Sequence, residues 1–186
     1  MIPIKNKKKT LEVTVEEMRN FAFNYIEKFA PSKQQLKTYL LKKYLKSKTP
    51  INRSNVSNLI DIVLEDLEKS KFINDKFYSE SKAKSLIQRG SSINKIRNYL
   101  IGKGVGDKYI NNTIDQIREN NEDQYFFSSI KICKKKRIGP SRQEDNRPLF
   151  YKKDMGVLAR SGFDFEVSRR VMDLDKDEYI KIINLL

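Results

Sequence analysis

The chain has no histidine and one cysteine, Cys133. Without histidine there are no Ser-His or Cys-His nucleophile pairs and no histidine-containing metal sites. A lone cysteine forms no internal disulfide and no cysteine-based zinc site, and it suits a reducing, cytoplasmic setting. Glycine (7) and proline (5) are scarce among 186 residues, which favours helices over a turn-rich β fold. No apolar run approaches the roughly 20 residues that span a bilayer, so no membrane role is expected. The opening MIPIKNKKKT is basic with no apolar segment behind it, and it does not read as a secretory signal. The phosphate-loop spacing G-x-x-x-x-G-K-[ST] does not occur. The nearest stretch, GKGVG at 102–106, follows a helical pattern rather than a strand. Asp61, Glu65, Asp66 and Glu68 are plentiful carboxylates, but they fall on the polar side of a helix, where solvation explains them. Acid–base catalysis by carboxylates alone stays open without positive support, and no cofactor or metal is expected.

Positive charge is abundant, with a formal net charge of +14. Such an excess favours acidic partners. A codon bias toward lysine accounts for part of the total but not for its clustering. Residues 1–50 carry 12 basic and 4 acidic side chains, and residues 123–170 carry 12 and 6, whereas residues 101–122 carry 3 and 4. The hydrophobic content of 38% is lean for one thick core and adequate for thin local cores between stacked helices.

Hydrophobic periodicity divides the chain into short helices. Residues 1–13 read as a basic arm. TVEE at 14–17 is a capping-box pattern that opens a helix with Met18, Phe21, Ala22, Tyr25, Ile26 and Phe29 at helical spacing. SKQQ at 32–35 opens a second, bearing Leu36, Tyr39, Leu40 and Tyr44. After KSKTP, a third carries Val56, Leu59, Ile60, Val63, Leu64 and Leu67. Asn74 or Asp75 caps the next helix, with Phe77, Ala83, Leu86 and Ile87, and Gly90 stops it. Ser91 or Ser92 caps a helix with Ile93, Ile96, Leu100 and Ile101. Gly104 turns the chain, and Asp107 caps its successor. A helix from near Glu122 carries Phe126, Phe127, Ile130 and Cys133 and ends in KKKRIGP. Residues 138–149 read as a polar loop. Tyr151, Met155, Leu158 and Ala159 mark another helix, Gly162 turns it, and Asp164 caps the last clear one. Residues 175–186 form a further short helix or a frayed end. Phe21, Phe77, Phe126 and Phe163 read as core residues rather than base-stacking platforms; Tyr109 and Tyr151 are the weaker candidates for stacking.

Two segments repeat one phrase. NYLIGKGVGDKYINNTIDQI (98–117) and GVLARSGFDFEVSRRVMDL (156–174) each place a leucine four residues before a glycine, then an apolar residue and an aspartate. The glycine reads as a helix end that needs positive φ. The expected fold is therefore all-α, three tandem three-helix repeats: 14–72, 73–120 and 121–175, with a tail at 176–186. Each unit is too small to bury a core alone, so neighbours stack into an elongated array.

The order of motifs resembles the bacterial RecX regulatory proteins. The matching residues are Asp75, Phe77, Arg89, Gly90, Ile96, Arg97, Leu100, Lys103, Gly104 and Val105, then Leu158, Arg160, Gly162 and Phe163. The resemblance covers roughly residues 18–174. It departs at Tyr78, where alanine is usual, and at SSI (91–93), where the family has a glycine-containing link. The resemblance implies a curved helical array that binds the RecA–DNA filament and restrains its recombinase, ATPase and coprotease activities, without being an enzyme. The expected partners are the RecA filament and single- or double-stranded DNA, bound without sequence preference by a monomer.

Charge clustering selects Lys131, Lys134, Lys135, Lys136 and Arg137 as a contact strip, with Arg169 and Arg170 nearby. Lysines in such a strip would neutralise phosphates in a salt-sensitive way. The alternative is a solvated helix end, where cations also favour the C-terminal dipole. Arg97 and Lys103 join the candidates because they match family positions. A second reading is a nucleic-acid-binding helical protein acting without RecA. However, DKYINNTIDQIREN (107–120) has two basic residues against three acidic ones, which is poor for reading the major groove. A plain scaffold with a basic surface is the third reading.

Overall fold

The computed structural model describes residues 11–46, 52–120 and 122–185, and among these the secondary structure is helical throughout. The α-helices are α1 Val15–Phe29, α2 Lys33–Leu45, α3 Arg53–Lys69, α4 Asp75–Gln88, α5 Ile93–Gly102, α6 Asp107–Asn120, α7 Glu122–Lys136, α8 Arg147–Arg160, α9 Phe165–Met172 and α10 Lys176–Leu185. The chain forms two compact units, Met1–Tyr78 and Ser79–Leu186. The basic arm expected at 1–13 falls mostly outside the described residues.

In the first unit α1, α2 and α3 pack around Met18, Ala22, Leu36, Leu40, Tyr44, Ile60, Val63 and Leu64, all buried. The capping box at Ser32 closes in both directions. Ser32 Oγ accepts from the Gln35 N–H, and Gln35 Oε1 accepts from the Ser32 N–H. Thr14 caps α1 by accepting from the Glu17 N–H at 3.2 Å. Three of the four acidic residues of α3 form ion pairs, Asp66 with Arg19, Glu68 with Lys33 at 2.5 Å and Asp61 with Lys37 at 2.6 Å, and Glu65 is exposed. These pairs are half-exposed, so each contributes well under about 1 kcal/mol, but they orient α3 against α1 and α2.

The second unit joins helix ends. Ser92, the N-cap of α5, accepts from the Lys95 N–H and donates its hydroxyl to the Ser161 carbonyl at the end of α8, 2.7 Å away. Asn94 donates to the Gly162 carbonyl at 3.2 Å. The positive end of α5 thus meets the negative end of α8. Ser128 of α7 donates to the Ile87 carbonyl at 2.9 Å, beside Gly90, whose missing side chain lets α7 approach the end of α4.

Five helix ends share one closure, in which the residue after the cap has positive φ. Its N–H reaches back three residues, and the next N–H reaches back five to a residue that is leucine in four of the five. Gly90, Gly104 and Gly162 adopt φ of +79°, +69° and +88°; the repeated phrase predicts this for Gly104 and Gly162, and the sequence marks Gly90 as a helix stop. Lys71 (φ +60°) ends α3 and Arg137 (φ +54°) ends α7 with the same hydrogen bonds.

The structure corrects several sequence expectations. Segment 138–149 is not a solvated loop: Ile138, Gly139 and Pro140 are buried, and the chain makes two short 3-10 turns, Gly139–Ser141 and Glu144–Asn146. Its anchor is Asp154 of α8, 1% exposed, which accepts from the Gly139 N–H (2.8 Å) and from two nitrogens of Arg142 (2.6 and 2.9 Å). Phe77 is not core but 70% exposed, Ile101 and Ala159 also face outward, and Phe21 is half-buried. Asp107 is the first residue of α6 rather than its cap; the Gly106 carbonyl accepts the first N–H groups. Residues 176–185 form α10, which packs on α7 through the buried Tyr179.

Candidate functional site

The densest positive cluster is the C-terminal end of α7. Phe126, Ile130 and Cys133 bury one side of that helix, so the lysines between and after them are forced outward. Lys134, Lys135, Lys136 and Arg137 are all exposed. Among the described residues, the side chains of Lys134, Lys135 and Arg137 make no hydrogen bond or ion pair, and they crowd the helix end where backbone carbonyls favour cations. Arg137 holds its left-handed conformation in spite of its side chain, a state that costs roughly 1–2 kcal/mol for a non-glycine residue. Glycine stands at the matching place in α4, α5 and α8. Lys71 holds the same conformation at the matching place in α3.

The other candidates are engaged within the fold. Lys131 donates its ammonium to the Gln88 carbonyl at 3.2 Å, closing the end of α4. Lys136 donates to Ser161 Oγ at 3.3 Å. The Arg170 guanidinium sits over Phe126, 4.1 Å from the ring centre, and Arg169 pairs with Asp173 at 3.5 Å. Phe126 is eight residues before Lys134, about 12 Å along the helix axis, so Arg170 stands apart from the α7 end. Arg97 donates to Asn111 Oδ1 at 2.9 Å, tying α5 to α6, and the Lys103 ammonium sits 5.3 Å from the Tyr99 ring. The nine residues therefore form no continuous strip. Three are free cations at one helix end, and the rest are anchored to neighbours.

Burial, together with the nearby Asp154 charge, pushes the Cys133 thiol up to about 12, so it stays protonated and unreactive. Burial alone would raise the Asp154 carboxyl, but its bonds to Arg142 and the Gly139 N–H hold it below the usual carboxylate range. Among the described residues no helix is long and apolar enough to cross a membrane.

No protein-family model matches the chain. It is similar to the regulatory protein RecX of Myxococcus xanthus (strain DK1622), with 29% identity over 175 residues, 89% of each chain. It is also similar to the regulatory protein RecX of Clostridioides difficile (strain 630), with 24% identity over 189 residues, 94% of this chain and 82% of the relative. The fold matches the crystal structure of RecX from Lactobacillus salivarius with a TM-score of 0.63 at 16% identity, over 92% of this chain and 97% of that one. The chain is similar to RecX regulatory proteins in sequence and to RecX crystal structures in fold. A second RecX crystal structure matches with a TM-score of 0.62 at 17% identity, over 86% of this chain and 74% of that one. The RecX relationship covers both compact units, so the α7 cluster belongs to the part of the chain that the relatives share.

Sequence reading missed the Arg142–Asp154 anchor, because nothing in RQEDNRP marks which carboxylate it meets. It also missed the lysines of α2 that share a flank with Tyr39. The spacing of Tyr39, Lys42, Lys43 and Lys46 (i, i+3, i+4, i+7) was the available signal.

Proposed function

We propose that this RecX-like chain is a cytoplasmic regulator that binds the RecA–DNA filament as a monomer and restrains recombinase, ATPase and coprotease activity. The observation that carries this reading is the set of unpaired cations at the end of α7, Lys134, Lys135 and Arg137, in a chain whose relatives are named regulatory proteins. An elongated, curved array of three three-helix repeats would suit a partner that is itself extended and negatively charged. Contact at the α7 end would be electrostatic, independent of sequence and weakened by salt. In this reading Lys131 and Lys136 hold the platform and the three free cations touch the partner.

The test is RecA ATP hydrolysis on single-stranded DNA with this protein titrated in, beside binding to the same DNA alone. Inhibition well below the concentration that saturates bare DNA supports the filament reading. Inhibition only at saturation makes the protein a DNA competitor acting without RecA. Lys134→Glu/Lys135→Glu leaves the ties of Lys131 and Lys136 in place, and we expect it to weaken inhibition at least tenfold with unchanged helical circular dichroism. Unaltered inhibition by that variant removes the α7 end from the interface.

A further inference from the structure

The first unit carries a row of aromatic rings that the proposed function does not use. On α1, Phe21, Tyr25 and Phe29 are spaced i, i+4, i+8, with Lys28 beside them. On α2, Tyr39, Lys42, Lys43 and Lys46 share one flank. The two stripes meet. Tyr25 and Tyr39 are stacked, with centroids 4.1 Å apart and planes 10° apart, and Tyr25 leans on Phe29 at 4.7 Å. The Lys43 ammonium sits 3.8 Å from the Phe21 ring centre and 5.9 Å from that of Tyr39, and Lys28 lies 5.4 Å from Phe29.

These rings are held half-exposed at the surface, and Phe29 at the end of the row is 53% exposed. The lysines around them differ from those on the other flank of α2. Lys33 and Lys37 are committed to Glu68 and Asp61. Among the described residues Lys28, Lys42, Lys43 and Lys46 make no ion pair. Glu17, one turn before Phe21, is turned toward the Tyr44 hydroxyl.

Exposed rings bordered by unpaired ammonium groups suit a ligand that is flat, apolar on its faces and repeatedly anionic. Unpaired nucleobases on a phosphate chain meet all three conditions, whereas a duplex hides its base faces. We propose that the α1–α2 row is a stacking site for single-stranded nucleic acid. Phe29 and the exposed edges of Tyr25 and Tyr39 receive bases, and Lys28, Lys42, Lys43 and Lys46 receive phosphates. From Phe21 to Phe29 the row runs about 12 Å, enough for a few nucleotides. Lys43, already seated over Phe21, needs little further ordering. The site lies in a different unit from the α7 cluster and does not depend on it.

The test uses the full chain without RecA. Binding is measured by fluorescence anisotropy with a labelled oligo(dT), an abasic strand of the same length and charge, and a duplex of that length. We expect oligo(dT) to bind about tenfold more tightly than the abasic strand, the scale of one base–aromatic stack. Phe29→Ala should erase that preference, and Lys42→Ala/Lys46→Ala should weaken both strands while keeping it. Because Phe29, Lys42 and Lys46 are exposed, these variants keep the fold, which thermal unfolding verifies. Lys134→Glu/Lys135→Glu should retain the preference for bases. Equal affinity for oligo(dT) and the abasic strand overturns the proposal, as does a preference for duplex or a preference untouched by Phe29→Ala. Absence of all oligonucleotide binding, with RecA inhibition intact, assigns the row to a protein partner and also overturns it.

Discussion

Among the described residues of Met1–Tyr78 the one buried polar side chain is Ser32, a helix cap, and the interior is otherwise an apolar cluster. In Ser79–Leu186 the buried polar side chains are Ser79, Ser92, Thr113, Ser128, Ser129, Asp154, Ser161 and Ser168. The first unit packs helices side against side, so apolar stripes suffice and charges stay at the margin as half-exposed pairs. The second brings helix ends together, and each end exposes carbonyls or N–H groups that must find partners. Ser92, Ser128 and Asp154 supply them, while Thr113 and Ser79 bond to each other between α6 and α4. The lesson is that two helical units of one chain can depend on different physics, and that their sensitivity to substitution and to acid differs accordingly.

The sharpest break of that comparison is at Asp154. Asp154→Ala leaves Arg142 and the Gly139 N–H without their acceptor and should cost on the order of 3 kcal/mol. The Lys37→Ala change in the first unit should cost under about 1 kcal/mol. Urea unfolding of both variants measures the contrast, and equal costs would dissolve it. The pH dependence has a fixed sign. The Asp154 carboxyl titrates lower folded than unfolded, so its contribution is complete above the ordinary carboxylate range and disappears as pH falls below it. The difference between wild type and Asp154→Ala should therefore shrink below about pH 4.

Next in size is Gly162→Ala. A side chain at φ +88° is strained, and its Cβ would collide with Ser92 Oγ where α8 meets α5. We expect a loss of about 2 kcal/mol or more by thermal unfolding. The smallest effect has the opposite sign. Lys71→Gly and Arg137→Gly relieve the same left-handed conformation and should each stabilise the fold by about 1 kcal/mol. At position 137 the gain in stability should come with weaker RecA inhibition. If it does not, the strain there serves no contact.

Much of the helix pattern was legible because apolar periodicity and caps act locally. Thr14, Ser32, Ser92 and Asp164 cap as their positions suggest. The repeated Leu-x-x-x-Gly phrase reads as a helix end because only the backbone is involved. The phrase was read twice and Gly90 as a helix stop, but the same closure occurs five times, since Lys71 and Arg137 hide it behind side chains that rarely adopt positive φ. Segment 138–149 was misread because its polar letters gave no sign that Asp154, farther along the chain, draws Arg142 inward. Phe77 was misread because a helical stripe does not say whether a neighbour covers it. For the candidate site, composition located the α7 end, but only three-dimensional contacts separate the free Lys134, Lys135 and Arg137 from the anchored Lys131, Lys136, Arg169 and Arg170.

The buried Cys133 makes the chain its own stopwatch. Its thiol is shut inside the second unit and held protonated, so a thiol reagent can reach it only when that unit opens. The rate of labelling then counts those openings and is blind to fluctuations confined to Met1–Tyr78. A partner that grips the α7 end slows the clock, and one that sits only on the α1–α2 row leaves it running at its own pace.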